Sequence, residues 1–142
     1  MLFWWKHKIE LRHQVVQWQR LLLMAERAKR ELSERDQTVL KLDRVAHTTG
    51  GSVNVHFPIS REEFVQLSKE LIDRSLDTCK EALESRNLAA SDLNTVFFSS
   101  GTSHIPAVQQ AVGRFFGRAL KPGVAPERAI LLGAAIYTTC LR

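Results

Sequence analysis

The sequence predicts a mixed α/β fold: a long helix, a β-hairpin, a second helix, a central strand and two further helices. Three observations carry this reading. Apolar residues recur with a helical period over residues 6–33, two alternating runs flank a Thr-Thr-Gly-Gly turn, and a capped helical pattern precedes a short strand–turn–helix run. At 142 residues the chain has the size of one ordinary domain. Its 44% hydrophobic and 25% charged content excludes disorder and low-complexity arrays.

In the first helix Leu11, Val15, Trp18, Leu22, Ala25 and Leu32 form the expected buried stripe, uninterrupted by Gly or Pro. Residues 38–45 and 52–57 alternate as strands do, Thr48-Thr49-Gly50-Gly51 turns the chain between them, and Pro58 is expected to end the hairpin. Ser60 followed by Glu63 is a capping box that opens a helix to about Ser85. Its expected buried stripe is Phe64, Leu67, Leu71, Ile72, Leu76, Cys79 and Leu83. Residues 87–92 read as a connector. Thr95-Val96-Phe97-Phe98 is apolar on both faces, as a central strand is, and runs into Ser99-Ser100-Gly101-Thr102-Ser103. Pro106 suits the first position of a helix that stops at Gly117, and Ala125-Pro126-Glu127 opens the last one.

Charge is concentrated at the front. The net +5 of the chain is already reached by residues 1–30, and residues 31–142 balance to zero. A nucleic-acid surface spreads its charge more widely, so no nucleic-acid partner is expected. Two cysteines without a CxxC motif, with Cys79 on an apolar stripe, indicate a reducing compartment and a cytoplasmic location. The opening Met1-Leu2-Phe3-Trp4-Trp5 is too short for a signal-peptide core. No run approaches the roughly 20 apolar residues of a membrane span. The five histidines lack metal-ligand spacing, and no metal ligand is expected.

Two constellations can carry chemistry. Glu26, Lys29, Arg30 and Ser33 fall within about a quarter-turn of one another on the first helix. They offer an acceptor, two cationic donors and a hydroxyl, a set suited to a ribose and an adenine edge. By spacing alone they are also ordinary surface ion pairs. The second is Val96 through Pro106, where small residues after a strand let backbone N–H groups approach a ligand. With one glycine it is neither a Walker A loop nor GxGxxG, the signal is weak, and an ordinary βα turn is the better reading of it taken alone.

Several runs, in one order, resemble the seventy-kilodalton heat-shock (heat shock protein 70, DnaK-type) chaperones. These are Glu26-Arg27-Ala28-Lys29-Arg30-Glu31-Leu32-Ser33, the hairpin, Ile59-Ser60-Arg61-Glu62-Glu63-Phe64, and Leu76-Asp77 through Ala82-Leu83. Ser100-Gly101-Thr102-Ser103-His104-Ile105-Pro106, Val108-Gln109, Phe115-Phe116-Gly117 and Ala125-Pro126-Glu127 through Gly133-Ala134-Ala135 continue the match. The resemblance covers nearly the whole chain and implies a partial actin-like ATPase lobe, the second lobe of the nucleotide-binding domain. It implies ATP or ADP as ligand, with Glu26, Lys29, Arg30 and Ser33 contacting adenosine. Gly101, Thr102, Ser103, His104 and Ile105 match the loop that nears the phosphates and base, and Glu127 stands near a family aspartate.

Two positions depart from that pattern. Ser100 replaces the loop's first glycine and brings a Cβ that would block either a backbone approach to the ligand or a positive φ. His104 replaces an arginine that lies along the adenine, keeping a flat ring but losing the guanidinium fork. The family's first lobe and its magnesium and γ-phosphate groups have no counterpart in these residues, so the chain alone is not expected to hydrolyse ATP. Its expected partners are adenine nucleotide, co-chaperones or exchange factors, and the missing lobe or a second copy covering an unpartnered strand. The alternative is an interaction module of chaperone descent that has lost its nucleotide. A membrane-surface or nucleic-acid binder is a third and weaker reading.

Overall fold

The computed structural model describes residues 10–48, 50–118 and 125–140, and the side chains of Thr48, Pro126 and Glu127 lie outside that description. Its regular elements are α1 (Val15–Glu34), β1 (Gln37–Thr48), β2 (Gly51–Ser60), α2 (Arg61–Glu84), α3 (Pro106–Phe116) and α4 (Pro126–Cys140). Short 3₁₀ turns lie at Ala90–Asp92 and Gly101–His104. This is the expected mixed α/β order, compatible with a partial actin-like lobe. The chain packs as two compact units, Met1–Gln66 and Leu67–Arg142.

In the first unit α1 begins at Val15, later than its sequence pattern suggests, and residues 6–9 lie outside the described residues. Residues 10–14 form a turn instead. The Arg12 N–H donates to the Glu10 carboxylate at 3.1 Å and the Gln14 N–H to the Leu11 carbonyl at 3.0 Å. The turn buries Leu11. The expected stripe narrows accordingly: Ala28 and Leu32 are buried, Trp18 is half-buried, and Val15, Leu22 and Ala25 are exposed. Leu42, Val45, Ala46 and Ile59 of the hairpin complete this core.

The hairpin pairs Gln37 with Ser60 at its base and Thr48 with Gly51 at its tip, where Gly51 has φ +111°. Pro58 does not end it, since β2 continues to Ser60 with Pro58 opposite Val39. Both strands of a two-stranded sheet are edges, and an edge proline whose nitrogen faces outward costs no ladder bond. The register slips between Leu42↔Val55 and Ala46↔Val53, so Asp43, Arg44 and Val45 face Asn54 alone. Arg44 adopts φ +52° and donates its N–H to Asn54 Oδ1 at 2.8 Å. From α1 the Arg20 guanidinium donates to the carbonyls of Asp43 (3.0 Å) and Arg44 (3.5 Å). The bulge breaks the alternation of the strand and turns the successive residues Val45 and Ala46 both inward.

The capping box forms as expected: Ser60 N–H donates to Glu63 Oε2 at 2.8 Å and Glu63 N–H to Ser60 Oγ at 3.1 Å. In the second unit the stripe of α2 is half-buried at Ile72, Leu76, Cys79 and Leu83, while Leu67 and Leu71 are exposed. Cys79, expected buried, is a half-buried free thiol. Asn87 (φ +54°) closes the helix, with Leu88 N–H donating to the Leu83 carbonyl and Asn87 N–H to the Glu84 carbonyl, both at 3.0 Å.

The central strand expected at Thr95–Phe98 does not form. A strand needs a neighbour for its ladder, and the sheet of the described residues contains only β1 and β2. Phe97 is 70% exposed. Arg118 holds this segment's start, donating to the carbonyls of Ser91 (2.8 Å) and Asn94 (3.1 Å). α3 runs from Pro106 and ends on Gly117 (φ +62°), both as expected. α4 exposes Ile130, Leu131, Ile136 and Tyr137.

Leu32→Ala should destabilise the chain by about 2–5 kcal/mol in urea unfolding, because it hollows a closed core. Leu67→Ala, at an exposed position, should change stability by under about 0.5 kcal/mol. Equal losses would show that the packing around Leu32 is not the core of its unit.

Candidate functional site: the outer face of α1 and the Ser100–Ile105 turn

The helical period of α1 brings Glu26, Lys29, Arg30 and Ser33 together on one face, away from Ala28. Glu26 organises them. Its Oε2 lies 2.5 Å from Lys29 Nζ and its Oε1 accepts from Arg30 Nε at 3.1 Å. Ser33 Oγ donates to the Lys29 carbonyl at 3.4 Å. Hydrogen bonds from Lys29 and then Arg30 hold the Glu26 carboxyl below its ordinary value, so it is a carboxylate at neutral pH. Arg30 spends only Nε on this bond and is 78% exposed, which leaves its terminal amino groups outward.

The opposite face of α1 is built differently. Met24, Arg27, Ala28 and Glu31 line a cleft of about 280 Å³ with Val39 and Lys41 of β1. Glu31 accepts from the Thr38 hydroxyl and from Arg27 Nε (2.9 Å), and these bonds lower its pKa in the same order. At 100° per residue this cleft lies about half a turn from the Glu26 face. The two are separate features.

In the second unit Ser100 has φ +77° and ψ 165°, a region that suits glycine. Its carbonyl accepts the Ser103 hydroxyl at 2.5 Å, and the Ser103 carbonyl accepts Gln109 Nε2 at 2.9 Å. Ser103 and Ile105 are buried and hold the turn, whereas Gly101, Thr102 and His104 are exposed. A Cβ at Gly101 would meet nothing within 4 Å. Glu127 belongs to the first turn of α4, and its side chain lies outside the described residues.

A family model described as Hsp70 protein matches residues 2–142, and the chain belongs to the Hsp70 family of chaperones. Among the described residues no helix is long and apolar enough to cross a membrane, and no group of three His, Cys, Asp or Glu side chains could hold a metal ion. Sequence reasoning passed over Arg20, Arg61 and Gln109, whose side chains reach main-chain carbonyls. Carbonyls carry no sequence signal.

Ser100→Gly should stabilise the protein. Relief of about 1–3 kcal/mol of backbone strain outweighs the 0.5–1 kcal/mol of extra unfolded-state entropy, roughly 1 kcal/mol net in urea unfolding. A less stable variant would show that the Ser100 side chain sustains the turn.

The lowered carboxyls set a pH dependence. A depressed folded pKa contributes stability above the ordinary value of 4.5 and loses it as pH falls through the folded value. Wild type should therefore exceed Glu31→Gln in stability at pH 7, with the margin shrinking as pH falls below 4.5 and through the folded value. A margin that stays constant with pH would detach it from the Glu31 charge.

Proposed function

We propose that the chain is an adenine-nucleotide-binding lobe of a heat-shock-70-type chaperone that acts in protein folding and the stress response in the cytoplasm. The observation that carries this reading is the α1 face. Glu26 pairs with Lys29 and Arg30 through its two oxygens, Arg30 is largely exposed and Lys29 half-buried, and the Ser33 hydroxyl lies one turn on. That donor set fits the ribose hydroxyls and adenine edge of ATP or ADP. The family's γ-phosphate and magnesium groups have no counterpart in these residues, so we assign binding without hydrolysis by this chain alone. In the second unit the proposed ligand-facing positions are Gly101, Thr102 and His104, with Ser103 and Ile105 supporting them; Glu127 completes the proposed set.

The second reading, an interaction module that works through protein partners such as co-chaperones or exchange factors, draws on the exposed apolar side of α4. Titration with fluorescent ADP separates the two. Lys29→Ala and Arg30→Ala should each weaken binding by about 1–3 kcal/mol, the worth of a lost charge-assisted contact. Their exposed ion pairs contribute at most about 1 kcal/mol to folding, so the fold should survive. Gly101→Ala has room for its Cβ, so a loss of affinity there would report ligand approach to the turn. Unchanged affinity in all three variants would remove these positions from the proposed site, and absence of ADP binding by the wild type would favour the interaction module.

A further inference from the structure

From the hydrogen bonds at the end of α1 we infer that Arg61 is a positioning residue for the nucleotide face, an assignment that rests on the reading above. The last four carbonyls of a helix have no partner within it, and the last turn of α1 contains no cation facing them. The Glu31 carbonyl is taken by the Arg35 N–H at 2.8 Å. The Leu32 carbonyl is taken by Arg61 Nε, also at 2.8 Å, although Arg61 lies 29 residues on, at the start of α2.

The same guanidinium uses Nη1 to hold Asp36 Oδ1 at 2.9 Å, and the Arg61 N–H donates to the Asp36 carbonyl at 2.7 Å. One residue thus fixes the end of α1 and the polar break that follows it. Its charge also complements the negative end of the helix. Lys29, Arg30 and Ser33 all lie in the last six residues of α1, which would otherwise fray. Ser33 directly follows the residue whose carbonyl Arg61 holds. Arg61 touches none of the proposed nucleotide contacts through its own side chain, and acts by keeping their helix turn formed.

The test compares Arg61→Ala and Arg61→Lys with Arg20→Ala in the full chain. Arg20 is the matched control, because it too donates to main-chain carbonyls but from the first half of α1. Fluorescent ADP titration and amide hydrogen exchange are read at a temperature where every variant is folded. Arg61→Ala should weaken ADP roughly tenfold, as expected for a lost contact of about 1.4 kcal/mol. It should also speed exchange at residues 30–34. Arg61→Lys should fall between, since an ammonium keeps the charge without the fork. Arg20→Ala should leave ADP affinity and the exchange of residues 30–34 unchanged. Wild-type affinity in Arg61→Ala, or equal effects from Arg20→Ala, would overturn the positioning role alone. A flat wild-type titration would overturn the nucleotide reading, and this role with it.

Discussion

The long helix is fastened to the hairpin by two arginines that donate to main-chain carbonyls, and the rest of the first unit follows from that. Arg20 reaches the bulge at Asp43 and Arg44, and Arg61 reaches back from α2 to Leu32. Between these ties Ala28 and Leu32 pack on Leu42, Val45, Ala46 and Ile59. A planar guanidinium fork fixes direction as well as distance. Holding α1 at two places therefore fixes its rotation as well as its position. That rotation turns Met24, Ala28 and Glu31 toward β1 and Glu26, Lys29 and Arg30 away from it. The bulge is the complementary device, since without its extra residues Val45 and Ala46 could not both point inward.

What was legible in the sequence was what local chemistry decides. The Ser60–Glu63 box, Pro106 at a helix start, the left-handed Gly117 and the hairpin turn each need only residues within a few positions. The Glu26 pairs were legible for the same reason, because i,i+3 and i,i+4 neighbours meet on any helix. The resemblance singled out Ser100 as a serine in a glycine's place, where a Cβ bears on either backbone approach or a positive φ, and the residue has φ +77°. What failed needed distant partners. Val96–Phe98 has the composition of a central strand, but a strand exists only where another supplies its ladder. Val15 and Leu22 keep the helical period of α1 without a surface to cover them. The bulge was invisible because Arg44, Asn54 and Arg20 make it together.

The second unit shows the same rule from the other side. Its turns are closed by local bonds: Asn87 ends α2, Ser103 and Gln109 brace the Ser100 turn, and Arg118 ties the connector. Yet Leu67, Phe97, Ile130 and Leu131 are each 70% exposed or more. Secondary structure there is set by caps and propensity, while apolar area remains open to solvent. Open apolar surface of this kind is the feature on which the interaction-module reading draws.

The charge on α1 narrows what its outer face can hold. Glu26, its pKa lowered further by its two cationic neighbours, cancels one of them at neutral pH, so Glu26, Lys29 and Arg30 together carry a single net positive charge. They also lie near the carboxyl end of the helix, where the backbone dipole is negative. A phosphate group would meet a weak attraction there and a carboxylate beside it. Ribose hydroxyls and a purine edge are neutral, and they can use an ionised acceptor as well as the remaining cationic donors. The face is therefore better matched to the nucleoside end of a nucleotide than to its phosphates, a distinction set by the presence of Glu26 between the two cations.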